Sequence, residues 1–382
     1  MRVIQINTFS HSLVMKDYER DLLNNWYAQV AYKIKEADKK IDIECWTLER
    51  FCKTEKTKQN KGVKFRIFPT TFSLRHGMEI SFSMLKALKE EIKKNKEKLI
   101  IHFHGYHTWQ VYLFLFFLEG NFIAQHHGGR NPLESLKKYK ILFLTLPIIL
   151  FMQLCESVFL KKIKIFYSLS EEETSYLKRI TTSKVKFQTM GVEEKDYLQI
   201  SKSFARKKLK LDTKKYLVYI GRMKKTKGIK ELFDAMSEIK DPQIKLLIIG
   251  GGQEDKKYRE YSKRLSLKNI EFLGPIYGKR KFLYLKAADA FILPSHTEGA
   301  PVALMEAIAS NTPVIATGVG GVRKMIKDGR EGIIITPKSK NQIKNSIYQI
   351  LKWKKKNVQE YSKKYFWKKI IKNTLEDYFS LP

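Results

Sequence analysis

Short apolar or β-branched runs recur along this chain in two tandem sets with helical stretches between them, and that alternation leaves few folds open. In the first half the runs are RVIQI (2–6), IDIECW (41–46), KFRIFP (64–69), LIIHFH (99–104), NFIAQHH (121–127) and KIFYSLS (164–170). Helical stretches separate them, notably around 18–38 and 79–94. Repeated βα units of this kind call for a parallel sheet covered on both faces. After KVKFQTMGV (184–192), a polar, Lys-rich segment over about 193–214 reads as an interdomain connection. The second set is YLVYIG (216–221), IKLLIIG (244–250), IEFLG (270–274), AFILPS (290–295), PVIAT (313–317) and EGIIITP (331–337). The expected fold is α/β: two Rossmann-like, doubly wound parallel-sheet domains facing a cleft. A chain of 382 residues is long enough for two such cores.

The formal net charge of +34 favours anionic partners such as phosphorylated substrates, acidic headgroups or nucleic acid. Lys is spread along the whole chain, however, and no arginine-rich or aromatic-interleaved block marks a nucleic-acid groove, so no nucleic acid is expected. Cys45, Cys52 and Cys155 are odd in number and form no CxxC pair, which suggests a reducing compartment and no structural metal. The start, MRVIQINTF, lacks the pattern of a signal peptide, so a cytoplasmic protein is expected.

Residues 296–306, HTEGAPVALME, place two carboxylates, Glu298 and Glu306, across the start of a helix that follows a buried strand. Pro301 suits the first helical position, where a missing N–H costs nothing. Ser310-Asn311-Thr312-Pro313 stops the helix, Asn tolerating the left-handed conformation. The two backbones lie roughly 10 Å apart along the helix axis at ~1.5 Å per residue. That suits two parts of one elongated ligand better than two acids on one bond. Gly299 permits close backbone approach, and a free helix N-terminus attracts phosphate. On the two Glu alone, the plainer reading is one carboxylate complementing the helix dipole and a second in solvent.

Gly221-Arg222-Met223-Lys224-Lys225-Thr226-Lys227-Gly228 follows a strand and opens a helix. Arg222 supplies a bidentate fork and Lys227 a compact charge, which together suit a diphosphate. Alone, such a loop in a Lys-rich chain is usually only surface. Gly250-Gly251-Gly252 ends another strand and is a weaker signal. His104-Gly105-Tyr106-His107 and Gln125-His126-His127-Gly128-Gly129 both end apolar strands, where doubly wound sheets bind ligands. The run ILFLTLPIILFMQLC (141–155), flanked by Lys and preceded by VYLFLFFL (111–118), is too short to span a bilayer comfortably. It reads either as a buried helix or as a surface dipping into an anionic membrane.

The stretch HTEGAPVALMEAIASNTPVIATGVGG (296–321) resembles the donor-site signature of the retaining family-4 glycosyltransferases, the glycosyl transferases group 1, which have the GT-B fold. The Gly-Arg-(four residues)-Lys-Gly loop at 221–228 matches a second motif of that family. The resemblance implies an N-terminal acceptor domain (1–200), a nucleotide-sugar domain (201–360) and a C-terminal helix (361–382) crossing back to the first. It implies a retaining, metal-independent hexosyltransferase-type reaction, in which a nucleotide diphosphate sugar is co-substrate and no further cofactor is needed. The absence of an Asp-x-Asp pair fits that reading.

By resemblance, Arg222 and Lys227 bind the diphosphate, Glu298 the sugar hydroxyls and Glu306 the ribose diol. Gly221, Gly299, Ala300 and Pro301 complete the donor-binding set. His127, with His126 as near alternative, approaches donor sugar and acceptor, giving a catalytic set of His127, Glu298, Arg222 and Lys227. The acceptor would be a glycan or a lipid-linked molecule at the inner membrane face. The first βα loop, Asn7–Ser12, lacks the family's Gly-Gly, and Lys324 stands where the family has an acid; neither is assigned a role. Three other readings remain at this stage. They are a glycoside hydrolase, which needs no phosphate loop, a sugar-nucleotide epimerase on the same fold, and a non-enzymatic basic RNA- or membrane-binding protein.

Overall fold

The computed structural model describes residues 1–8, 22–23, 25–73, 79–95, 98–127, 154, 156–194, 197, 200–353 and 357–382. The apolar run 141–155, apart from Leu154, lies outside the described residues, as do Gly128, Gly129 and the first βα loop beyond Thr8. The chain forms two compact units: Met1–Gln188 together with Ile371–Pro382, and Thr189–Ile370.

The first unit is built on β1 (Arg2–Asn7), β2 (Asp42–Glu49), β3 (Lys56–Asn60), β4 (Val63–Pro69), β7 (Leu99–His104), β8 (Asn121–Gln125), β9 (Ile163–Ser168) and β10 (Lys184–Phe187). Phe72–Ser73 (β5) and Glu79–Ile80 (β6) make a separate small hairpin. The large sheet runs β10-β9-β8-β7-β1-β2-β4-β3, parallel except for the β3–β4 pair. Every residue of β7 and β8 is buried, as strands covered on both faces require. Strands β3, β5 and β6 were not legible as apolar runs. Strand β3 reads KTKQN, largely exposed, and its polarity suits an edge.

The second unit carries β11 (Lys215–Ile220), β12 (Ile244–Ile249), β13 (Ile270–Gly274), β14 (Ala290–Leu293), β15 (Val314–Thr317) and β16 (Gly332–Ile335). They pair, all parallel, in the order β13-β12-β11-β14-β15-β16. Relative to sequence this is 3-2-1-4-5-6, the Rossmann order, whose direction reverses between β11 and β14. Ligands bind such sheets at the carboxyl ends of the strands flanking that reversal. All twelve strands expected from the two tandem sets are present, which establishes the α/β class with two parallel-stranded sheets.

Two local expectations need correction. The helix after Glu298 spans Val302–Ala309, and Pro301 caps it (φ −68°, ψ 116°) instead of occupying its first position. With ψ extended, Pro301 remains outside the helix. Asn311 does take the left-handed conformation, at φ 60°. The C-terminal segment 361–379 is not one helix: a 3₁₀ stretch, Gln359–Tyr365, is followed by the helix Trp367–Phe379. Phe366 interrupts them because it is extended and bridges to Val192, which donates to the Tyr365 carbonyl at 2.8 Å and accepts from the Trp367 amide at 3.1 Å. The Lys-rich segment 193–214 holds a helix, Lys202–Leu209, whose Lys202 and Arg206 both pair with Asp289.

Candidate functional site

Two loops meet where the second sheet reverses direction. The first follows β11. The Gly221 amide donates to the Ile249 carbonyl at 3.0 Å and the Met223 amide to the Gly251 carbonyl at 2.8 Å. The Gly250–Gly252 turn thus packs against this loop's backbone. The Tyr219 hydroxyl donates to the Arg222 carbonyl at 3.0 Å, and burial, then the nearby Glu298, pushes that phenol far up, so it stays a donor. Arg222 is exposed, and among the described residues its guanidinium has no partner.

The loop then closes onto the end of β14. Gly228 sits at φ +66°, and a Cβ there would lie 1.9 Å from the Pro294 carbonyl oxygen, so only glycine lets the two backbones touch. One step further, the His296 amide donates to the Thr226 carbonyl at 2.8 Å. That contact carries Lys227 to Glu298: Nζ lies 2.6 Å from Oε1, the same oxygen that accepts from the Ser295 hydroxyl at 2.6 Å. Only 8% of the Glu298 side chain and 22% of that of Lys227 are exposed. The turn after β15 supports Glu298 from behind. Gly320 (φ +56°) has the Glu298 carbonyl 1.8 Å from where a Cβ would be, and the Gly321 amide donates to the Gly299 carbonyl at 2.7 Å.

Gly299, Ala300 and Pro301 are partly exposed and lead into the helix Val302–Ala309, whose N-terminus no side chain caps. Its open first-turn N–H groups are the kind of donor an anion takes. Glu306, five residues into that helix, is not solvated; it is buried and paired with Lys281 Nζ at 2.6 Å. The second unit therefore brings Gly221, Arg222, Lys227, Glu298 and Gly299 together, with Glu306 further along the same helix on a lysine of its own.

His127 belongs to the first unit and is held by a different network. The carboxyl ends of β7 and β8 carry His104 and His127, with His104 Nδ1 2.9 Å from His127 Nε2. Trp26 stacks on the His127 ring at 3.5 Å between centroids. His104 Nε2 bonds to Gln5 Oε1, Gln5 Nε2 donates to the Tyr378 hydroxyl at 2.9 Å, and Tyr378 lies 2.7 Å from His102 Nδ1. Burial pushes His102 down to about 3. Burial and neighbouring imidazoles hold His104 and His127 well below the ordinary histidine value, so all three rings are neutral at pH 7.

Beside them are two His–carboxylate pairs, His107 Nδ1 with Glu156 at 2.7 Å and His126 Nδ1 with Glu173 at 3.1 Å. The Tyr106 hydroxyl also donates to Glu173, at 2.6 Å, and those of Tyr112 and Tyr176 to Glu156. Burial pushes both carboxyls up, but these hydrogen bonds outweigh it and hold both below the ordinary range.

Sequence reasoning missed Ser295, Lys281, Gln5, Glu156, Glu173 and Tyr378. Ser295 ends a strand already singled out, so proximity to Glu298 was a usable signal. Lys281 is one of 73 basic residues and has no distinguishing motif. Gln5 and Tyr378 stand 373 positions apart, beyond any local pattern.

With the sheet order and the two loops in place, the class is defined: this is a protein of GT-B fold. Sucrose-phosphate synthase from Thermosynechococcus elongatus superposes with a TM-score of 0.72 over 99% of this chain and 98% of that one, at 19% identity. Anabaena Alr3699/HepE in complex with UDP and glucose superposes at 0.67 over the whole of both chains, at 16% identity. Residues 201–365 match the model of the Glycosyl transferases group 1. The uncharacterized glycosyltransferase MJ1178 of Methanocaldococcus jannaschii is 29% identical over 170 residues, 43% of this chain. The match spans about half (48%) of that relative's length.

Proposed function

We propose that the chain transfers a sugar from a nucleotide diphosphate sugar to an acceptor hydroxyl, with retention of anomeric configuration and without a metal. The observation that carries this reading is the Lys227–Glu298 pair, held at the reversal point of a Rossmann sheet, with Arg222, whose guanidinium has no partner among the described residues, on the same loop. As the glycosidic C–O bond breaks, positive charge grows on the sugar ring and negative charge on the leaving diphosphate. Arg222, Lys227 and the uncapped N-terminus of Val302–Ala309 would stabilise that anion, and such preorganised electrostatics is usually the largest catalytic contribution. Glu298 would take the donor-sugar hydroxyls and Glu306 the ribose diol, since a carboxylate can accept two hydrogen bonds. Same-face attack, with the leaving phosphate taking the acceptor proton, accounts for retention. His127 would contact the sugar. The UDP and glucose bound by the Anabaena protein support a sugar-nucleotide donor here.

The acceptor is a lipid-linked molecule or a surface glycan, met by peripheral attachment to an anionic inner membrane face. Phe116 and Phe117 support this, both more than half exposed at the end of the helix Trp109–Phe117, as does the Lys161-Lys162-Lys164 cluster. Among the described residues no helix is long and apolar enough to cross a membrane. A thermal-shift screen with UDP-, GDP- and ADP-sugars tests the donor, because a ligand of the folded state raises its stability. One of the three is expected to raise Tm. No shift with any of them would remove the proposal, and conversion of the donor without acceptor would make the chain an epimerase.

A further inference from the structure

The network behind His127 has a direction. Gln5 turns Oε1 toward His104 Nε2 and Nε2 toward the Tyr378 hydroxyl. An amide oxygen only accepts, so His104 must donate through Nε2. A neutral imidazole has one N–H, so His104 Nδ1 is then an acceptor. His127 Nε2, 2.9 Å away, must therefore carry the proton and donate inward. At the far end Gln5 Nε2 donates to Tyr378, whose own proton goes to His102 Nδ1 at 2.7 Å. Every link depends on the last, and the three rings are neutral because burial disfavours their charged forms. Gln5, His102, His104 and Tyr378 are buried, and Trp26 stacked on His127 fixes the ring plane.

We infer that Gln5, His104 and Tyr378 are positioning residues that lock His127 in the Nε2–H tautomer and present its Nδ1 lone pair as a hydrogen-bond acceptor for a sugar hydroxyl. This rests on the reading of His127 as a sugar contact. The consequence is a constraint on the ligand: the group facing Nδ1 must be a donor, such as a hydroxyl, and not an ether or phosphate oxygen. Tyr378 comes from the C-terminal helix, so the last turn of the chain sets a proton position more than 250 residues earlier in sequence, as its bonds to Gln5 and His102 span 373 and 276 positions.

The test is ¹⁵N NMR of histidine-labelled full-length protein near pH 7, with the His127 signals assigned by His127→Gln. In the wild type His127 should show a pyrrole-like Nε2 and a pyridine-like Nδ1. Tyr378→Phe and Gln5→Leu, which remove one link each, should give averaged shifts for both nitrogens. Both should lower kcat with the donor KM little changed, roughly five- to tenfold, the scale of one net hydrogen bond. A pyrrole-like Nδ1 in the wild type overturns the inference, as does an unaltered His127 signature in a folded Gln5→Leu protein. If the signatures are as expected but His127→Gln turns over at the wild-type rate, the relay stands and the sugar-contact reading of His127 fails. The two failures are therefore distinguishable.

Discussion

Lys227→Ala isolates the interaction at the centre of the donor site. It leaves Glu298 with 8% of its side chain exposed and Ser295 as its remaining partner, a nearly buried carboxylate without its cation. Removing one partner of a fully buried pair costs about 3–5 kcal/mol, whereas exposed pairs contribute ~0–1. Lys227 reaches solvent through about a fifth of its surface, so the loss should fall between these limits, at about 2 kcal/mol. For a unit the size of Thr189–Ile370, at roughly 2–4 °C per kcal/mol, Tm falls by about 4–8 °C. Glu298→Gln should cost less, about 1 kcal/mol, because the amide still accepts from Ser295 and the stranded lysine can turn to water. The double variant should then be no less stable than Lys227→Ala alone, because the uncompensated carboxylate is gone. Differential scanning calorimetry of the four proteins measures the cycle. Strict additivity of the two single effects, or an unchanged Tm for Lys227→Ala, would refute the claim that the pair is preorganised and desolvated.

Other consequences follow from the same geometry. Gly320→Ala puts a Cβ against the Glu298 carbonyl at a left-handed φ and should cost more than about 2 kcal/mol while lowering donor affinity; calorimetry and donor titration check both. Glu306→Ala should weaken sugar-nucleotide binding about ten- to a hundredfold, the scale of hydrogen bonds to a charged group, and leave saturated turnover near wild type; steady-state kinetics separates KM from kcat. Glu156, Glu173 and Asp377 all titrate below the ordinary carboxylate range when folded, Asp377 because Lys186, Lys184 and Tyr167 outweigh its burial. A depressed carboxyl contributes stability that is present above its unfolded pKa. The first unit should therefore lose stability progressively as pH falls below roughly 4, which urea midpoints across that range will show.

Much of this was legible in the sequence because parallel strands buried on both faces write themselves as apolar runs. LIIHFH and AFIL became β7 and β14 where expected. The loop 221–228 and the segment 296–306 were readable because Gly and Pro mark backbone geometry that few other residues adopt. Their meeting was not, since it rests on Gly228 lying flush with the Pro294 carbonyl, a contact between distant strands. The polar edge strand β3 was hidden because it buries little. The lysine that pairs with Glu306, Lys281, was hidden because it comes from another helix. The relay behind His127 depends on Gln5 and Tyr378, neutral residues from opposite ends of the chain, and no local spacing reveals such a pair.

The central claim is that Arg222 and Lys227 form a diphosphate site. Calorimetric titration with UDP, GDP and ADP, each beside its monophosphate, tests it without knowledge of the sugar or acceptor. One diphosphate should bind at least tenfold tighter than its monophosphate, and Arg222→Ala and Lys227→Ala should each erase most of that difference. Equal affinity for diphosphate and monophosphate, or an undiminished difference in both variants, would contradict the account.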